Sequence, residues 1–86
     1  MKEVRMFMFE SCPHCKKALK MMDELFEKHP EYRAVPFEMT DEKLHQEIAD
    51  EYDYYYVPAF FVGGKKLHEG VPTMEAVESV FKEAML

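Results

Sequence analysis

A chain of 86 residues forms one domain, 1–86, because a chain this short buries only about 60% of its unfolded surface, too little to divide between two cores. Its make-up, 48% hydrophobic, 14% aromatic and 33% charged with three Gly and five Pro, is too apolar for disorder and too mixed for collagen or a coiled coil. Eleven Lys plus Arg against seventeen Asp plus Glu leave a charge of −6, and the only cationic groupings are Lys16-Lys17-Lys20 and Lys65-Lys66, which argues against a nucleic-acid partner.

No apolar stretch approaches the roughly 18 residues needed to cross a bilayer. Met1 to Arg5 lead into too short an apolar segment for a signal peptide. The expectation is a soluble, cytoplasmic monomer without a membrane partner.

Val4 to Phe9 is a short apolar run ending at Glu10-Ser11, the pattern of a strand covered on both faces. From Pro13 the period changes: Cys15, Ala18, Leu19, Met22, Leu25 and Phe26 recur at three and four, with Lys and acidic residues on the other face. This is an amphipathic helix with Pro13 in its first turn, ended by His29-Pro30. Tyr32 to Phe37 reads as a second strand, and Pro36, which lacks a ladder donor, assigns it to an edge. Thr40, followed by Asp41 and Glu42, reads as a helix start, and Leu44, Ile48 and Tyr52 at four-residue spacing extend that helix over 41–52. Ala59–Val62 and Leu67–Glu69, joined through Gly63-Gly64, form a hairpin. Pro72-Thr73 opens a last helix carrying Met74, Val77, Val80, Phe81 and Ala84 inward. The order β-α-β-α-β-β-α predicts an α/β domain, with a parallel pair joined by a right-handed crossover and a closing antiparallel hairpin.

Two cysteines stand three apart as Cys12-Pro13-His14-Cys15. A bridge between them closes a ring worth about 2 kcal/mol of chain entropy, against roughly 4 for a long loop, so the pair points to chemistry rather than stability. Cys12 falls at the helix N-cap, where unpaired amides and the helix dipole favour a thiolate; it is the candidate nucleophile. Cys15, one turn inside on the apolar face, is the candidate resolving thiol. His14 either supplies a donor or positive charge to the Cys12 thiolate, giving a more oxidising couple, or is a solvated helix residue. Half of a metal site is the competing reading, but His14, His29, His45 and His68 offer no ligand spacing.

Cys-Pro-His-Cys at the first strand–helix junction, with Val57-Pro58 before a late strand, resembles the thioredoxin and glutaredoxin superfamily over nearly the whole chain. The resemblance implies a thioredoxin fold with a four-stranded mixed sheet flanked by helices. It also implies a cis peptide before Pro58, packed beside the cysteines, and a substrate-docking role for the backbone of Val57. Ser11 and Tyr56, which adjoin these positions, complete the candidate substrate-binding set. The implied activity is thiol-disulfide exchange on protein disulfides, with an unidentified reductase as partner and no cofactor beyond the Cys12–Cys15 couple.

Small size is similar to glutaredoxins, but Glu10 stands where they carry a basic residue, and Glu69 stands near the last helix, so glutathione is disfavoured. The Phe61–Leu67 segment looks like that of thioredoxins. Trp-Cys-Gly-Pro-Cys is absent, however, and Met6 takes the place of the buried acid. The combination resembles a compact glutaredoxin-like thioredoxin. A non-catalytic protein-binding module and a metal-binding module are the alternatives. Tyr54, Tyr55 and Tyr56 read either as aromatic packing of a loop against the second helix, the favoured reading, or as the rim of a substrate site. Phe9 and Phe60 are assigned to the core, and the eight Met to gap-filling there.

Overall fold

Val4–Met8 forms the first strand, β1, and Pro13–Lys28 the first helix, α1, which buries Cys15, Ala18, Met22 and Leu25 as the periodicity predicts. The computed structural model describes all residues 1–86. The later elements are β2 (Phe37–Asp41), a short α2 (Gln46–Ala49), β3 (Ala59–Val62), β4 (Lys65–Glu69) and α3 (Met74–Met85). They make a four-stranded mixed sheet in the order β2-β1-β3-β4. β1 and β2 are parallel, from Val4 opposite Phe37 to Met8 opposite Asp41, and β3 runs antiparallel to both β1 and β4. The hairpin turn places Gly63 at φ +55° and Gly64 at φ +86°, the left-handed backbone that a two-residue connection requires.

Alternation along β1 divides the core. Val4 and Met6 face α1 and α3, joining Ala18, Leu25, Val77, Val80 and Phe81, while Phe7 faces the other way with Ala49, Ala59 and Phe61. On the first side Phe81 meets Phe26 edge to face at 5.0 Å between ring centres. On the second, Tyr52 and Tyr54 cover Phe7, each at 4.9 Å. Thr73 caps α3, its hydroxyl accepting from Ala76 N–H at 3.1 Å.

Two elements differ from the sequence expectation. The strand placed at 32–37 lies at 37–41, and Pro30–Ala34 is instead a 3₁₀ turn that buries Tyr32. Pro36 precedes the strand rather than interrupting it, and its carbonyl accepts from Val4 N–H at 2.8 Å, so the residue that cannot donate enters the sheet as an acceptor. The edge position of β2 is as expected.

The helix placed at 41–52 shrinks to one turn. Thr40 is not its cap but a buried residue of β2, whose hydroxyl accepts from Arg5 Nη1 at 2.8 Å. Asp41 Oδ1 accepts from the Lys43 and Leu44 amides at 2.9 and 3.3 Å, folding 41–44 into a side-chain-closed turn that competes with helix. Leu44, read as part of a buried stripe, is 75% exposed. The methionines also divide: Met6 and Met22 are buried, whereas Met39 and Met85 face solvent.

Candidate active site

β1 ends at Met8, and the chain turns through Phe9–Ser11 into α1, with the Cys12 amide donating to the Phe9 carbonyl at 3.2 Å. Cys12 takes extended backbone angles (φ −78°, ψ 112°) as the N-cap of α1, and Pro13 fills the first helical position, where a missing N–H costs nothing. The Cys12 sulfur accepts from the Cys15 amide at 3.1 Å, the interaction a capping oxygen makes elsewhere. An anionic sulfur placed there sits at the positive end of the helix dipole and on a free amide. Cys12 and Cys15 are joined as a disulfide with their Cα atoms 5.2 Å apart. Cys12 is 3% and Cys15 1% exposed, so the two residues are shielded almost equally in this oxidised form.

An open cavity of about 590 Å³ adjoins Cys12. Pro13 and His14 form one wall, and Tyr55, Tyr56, Val57 and Val71 the other. Glu42 is the only Asp, Glu, Lys or Arg in its lining. A separate groove of about 400 Å³ lies on the Cys15 side, between Leu19 and Met39. A third cavity of about 550 Å³, bounded by Glu42, Asp50 and Tyr54, is polar and reaches neither cysteine, so the redox site is the Cys12 cavity.

The Val57–Pro58 peptide bond is cis, and Pro58 is fully buried. The Pro58 carbonyl accepts from Gly70 N–H at 3.0 Å. Val57 is half-buried, and no hydrogen bond within the protein engages its N–H or its carbonyl. Among the candidate residues, the fold therefore gathers Cys12, Pro13, His14, Tyr56 and Val57 around one cavity, while Pro58, next in the chain after Val57, is buried and outside its lining. Ser11 is exposed and outside that lining, and Cys15 opens on the other groove. His14 is exposed and its side chain makes no hydrogen bond or ion pair.

The tyrosine run divides. Tyr54 packs inward, but its stacking partner is Phe7 of β1, at a 17° interplanar angle, rather than the second helix, whereas Tyr55 and Tyr56 are 82% and 69% exposed and form the rim. The Tyr54 hydroxyl donates to Glu42 Oε1 at 2.7 Å. Burial first, then this hydrogen bond and the nearby carboxylate charges, hold the Tyr54 phenol above its ordinary pKa. Phe60 is fully buried, but Phe9 is only partly so: it separates the two grooves, with Lys43 Nζ 4.2 Å from its ring centre.

Glu69, expected from the sequence to repel an anionic tripeptide, is engaged within the protein. Lys66 Nζ donates to its Oε1 at 2.7 Å, and the Tyr55 and Tyr56 amides donate to its Oε2 at 2.7 and 3.0 Å. The Lys66 ammonium and then the two amides hold the carboxyl down at about 2. Glu42, Val71 and Glu69 are the residues here that sequence reasoning missed as site components. The one local signal was Glu69 standing before Gly70, which adopts φ +89°.

A cysteine pair at the start of the first helix, with Cys12 as its N-cap, sharing a cavity with the residue before a cis-proline that leads into β3 of a mixed four-stranded sheet, defines a thiol-disulfide oxidoreductase of the thioredoxin fold. Residues 2–82 match the family model described as Thioredoxin domain, and the chain belongs to that family. It is similar to the thioredoxin of Methanocaldococcus jannaschii, at 30% identity over 83 residues that cover 96% of this chain and 95% of that one. The oxidised thioredoxin of Plasmodium falciparum superposes with a TM-score of 0.70 at 17% identity, over 95% of this chain and 79% of that chain. Oxidised thioredoxin O2 of Arabidopsis thaliana does so with 0.61 at 26% identity, over 96% and 74%. No helix is long and apolar enough to cross a membrane.

Proposed function

We propose that this chain reduces disulfides of protein substrates by a two-step exchange at Cys12. The Cys12 thiolate attacks one sulfur of the substrate disulfide, forming a mixed disulfide and releasing the other substrate sulfur as a thiolate that takes up a proton. Cys15, deprotonated, then attacks the Cys12 sulfur, forming the Cys12–Cys15 bond and releasing the second substrate thiol. Two electrons and two protons pass to the substrate, and an external dithiol, supplied by a reductase, restores the pair. That supply fits a reducing compartment such as the cytoplasm.

The observation that carries this reading is the free peptide group of Val57 beside Cys12, in a cavity with apolar walls. An extended polypeptide pairs with such a group as an added strand does, whereas a non-peptide disulfide such as hydroxyethyl disulfide has no backbone to offer. The same lining disfavours glutathione. An anionic tripeptide meets Glu42 and no Lys or Arg in the cavity, and the nearby Lys66 is already paired with Glu69. No cofactor other than the cysteine pair takes part in the scheme.

The test is reduction of a protein disulfide by the purified protein with dithiothreitol as the dithiol donor. Cys12→Ser abolishes turnover, and Cys15→Ser accumulates a covalent complex with the substrate that dissolves on adding excess thiol. Turnover that survives Cys12→Ser overturns the scheme.

A further inference from the structure

The loop that carries the aromatic rim is held by side chains rather than by backbone ladders. Residues 53–57 lie outside any helix or strand and make no backbone–backbone hydrogen bond. The Tyr55 and Tyr56 side chains are exposed, stack on no other ring and donate to no acceptor. Tyr54 and Val57 pack on the core at either end of the loop, but between them the Tyr55–Tyr56 backbone is held by one carboxylate oxygen of Glu69, which accepts from both amides.

That oxygen is itself placed by an irregularity of the sheet. Ala59 is opposite Glu69 and Phe60 opposite His68, but Phe61 is opposite Lys66, so Leu67 is an extra residue in β4. In a regular strand, residues three apart point to opposite faces. The bulge brings Lys66 and Glu69 to the same face, where their side chains meet at 2.7 Å. Lys66 thereby fixes one carboxylate oxygen and aims the other at the loop.

We propose that Glu69, oriented by Lys66, is a positioning residue of the substrate groove: it latches the Tyr55–Tyr56 backbone and so sets the rim against which a protein substrate docks beside Cys12. The inference rests on the functional reading above and specifies which residues of this chain give it preference for protein over small disulfides. The latch remains charged throughout the range in which thiols react, because Lys66 and the two amides hold its pKa far below neutrality.

The experiment compares wild type, Glu69→Ala, Glu69→Gln and Lys66→Met in the reduction of a protein disulfide and of hydroxyethyl disulfide. Glu83→Gln, at an exposed ion pair with Lys2 outside the groove, serves as control. Two charge-assisted hydrogen bonds are at stake, so Glu69→Ala raises KM for the protein substrate about tenfold. In that variant kcat and the Cys12–Cys15 potential change little, and the small disulfide is reduced at nearly the wild-type rate. Glu69→Gln, which keeps an oxygen for the amides, recovers most of the affinity, and Lys66→Met falls between the two.

An unchanged KM in Glu69→Ala, or equal losses toward both disulfides, overturns the proposal. Amide hydrogen exchange provides a reading independent of activity: Tyr55 and Tyr56 exchange about tenfold faster in Glu69→Ala than in wild type. Equal exchange in both proteins removes the latch even where protein disulfides are reduced. Wild type that reduces no protein disulfide sinks the functional reading and the groove role with it, while faster exchange in the variant then leaves Glu69 as a structural clamp only. Should Glu69→Ala fail to fold, Glu69→Gln and Lys66→Met carry the same comparison.

Discussion

Tyr54→Phe removes a single oxygen from the lining of the polar cavity bounded by Glu42 and Asp50, and its cost can be worked out. The ring remains, with its 4.9 Å stack on Phe7 and its edge contact with Phe61, so the aromatic term is unchanged. What goes is the 2.7 Å hydrogen bond to the Glu42 carboxylate. Hydrogen bonds to charged groups contribute about 1.5–3 kcal/mol, and partial exposure brings this one down to about 1 kcal/mol. For a domain of this size that is a fall in Tm of about 4–8 °C.

The sign of the pH dependence is fixed too. The folded-state pKa of Tyr54 lies above the ordinary value of 10, so its contribution is complete below pH 10 and is lost as pH rises beyond it, where the unfolded chain releases the proton first. Urea unfolding of the oxidised proteins at pH 7.5 and pH 11 therefore finds wild type more stable than Tyr54→Phe at the lower pH, with the gap closing at the higher. A double-mutant cycle with Glu42→Ala shows a coupling of about 1 kcal/mol at pH 7.5. Additive single effects, or a gap that stays constant to pH 11, refute the assignment of the stability to this pair.

Phe81, fully buried against Phe26, loses about 3–5 kcal/mol on Phe81→Ala, measured as a lowered urea midpoint at unchanged m value. Thr73→Ala removes the α3 cap and costs about 1 kcal/mol, whereas Thr73→Ser restores it. His14→Ala withdraws an N–H donor from the cavity beside Cys12 and lowers the reduction potential by about 15–30 mV against a thiol buffer; an unchanged or higher potential removes His14 from the tuning of the couple.

The parts of this molecule that were legible in its sequence are those governed by short-range rules. Pro13 after a cysteine and before a three-four apolar period locates both α1 and its cap, and Gly63-Gly64 between apolar runs locates the hairpin. β2 was misplaced because Val35 and Phe37 alternate as a strand does, and alternation does not say whether Pro36 is inside the strand or at its threshold. The false helix at 41–52 came from Leu44, Ile48 and Tyr52 at four-residue spacing. The Asp41 side chain offered the backbone a better local partner than the next helical turn, and no periodicity count registers a side-chain acceptor. Three adjacent tyrosines looked equivalent until the sheet gave Tyr54 a ring to stack on and left the next two outside.

Glu69 shows why such failures gather at the site. Its function depends on a one-residue irregularity in the pairing of β3 with β4, which no residue type announces, and on a loop 13 and 14 positions earlier in the chain. A groove that must receive another chain leaves peptide groups such as those of Val57 unpaired, so the usual backbone ladders cannot brace the residues around it. The bracing passes to side chains instead, to Glu42 beneath Tyr54 and to Glu69 beneath Tyr55 and Tyr56. Local propensity and global fold disagree in the segments that border the cysteines, as expected where a chain gives up regular structure in order to bind.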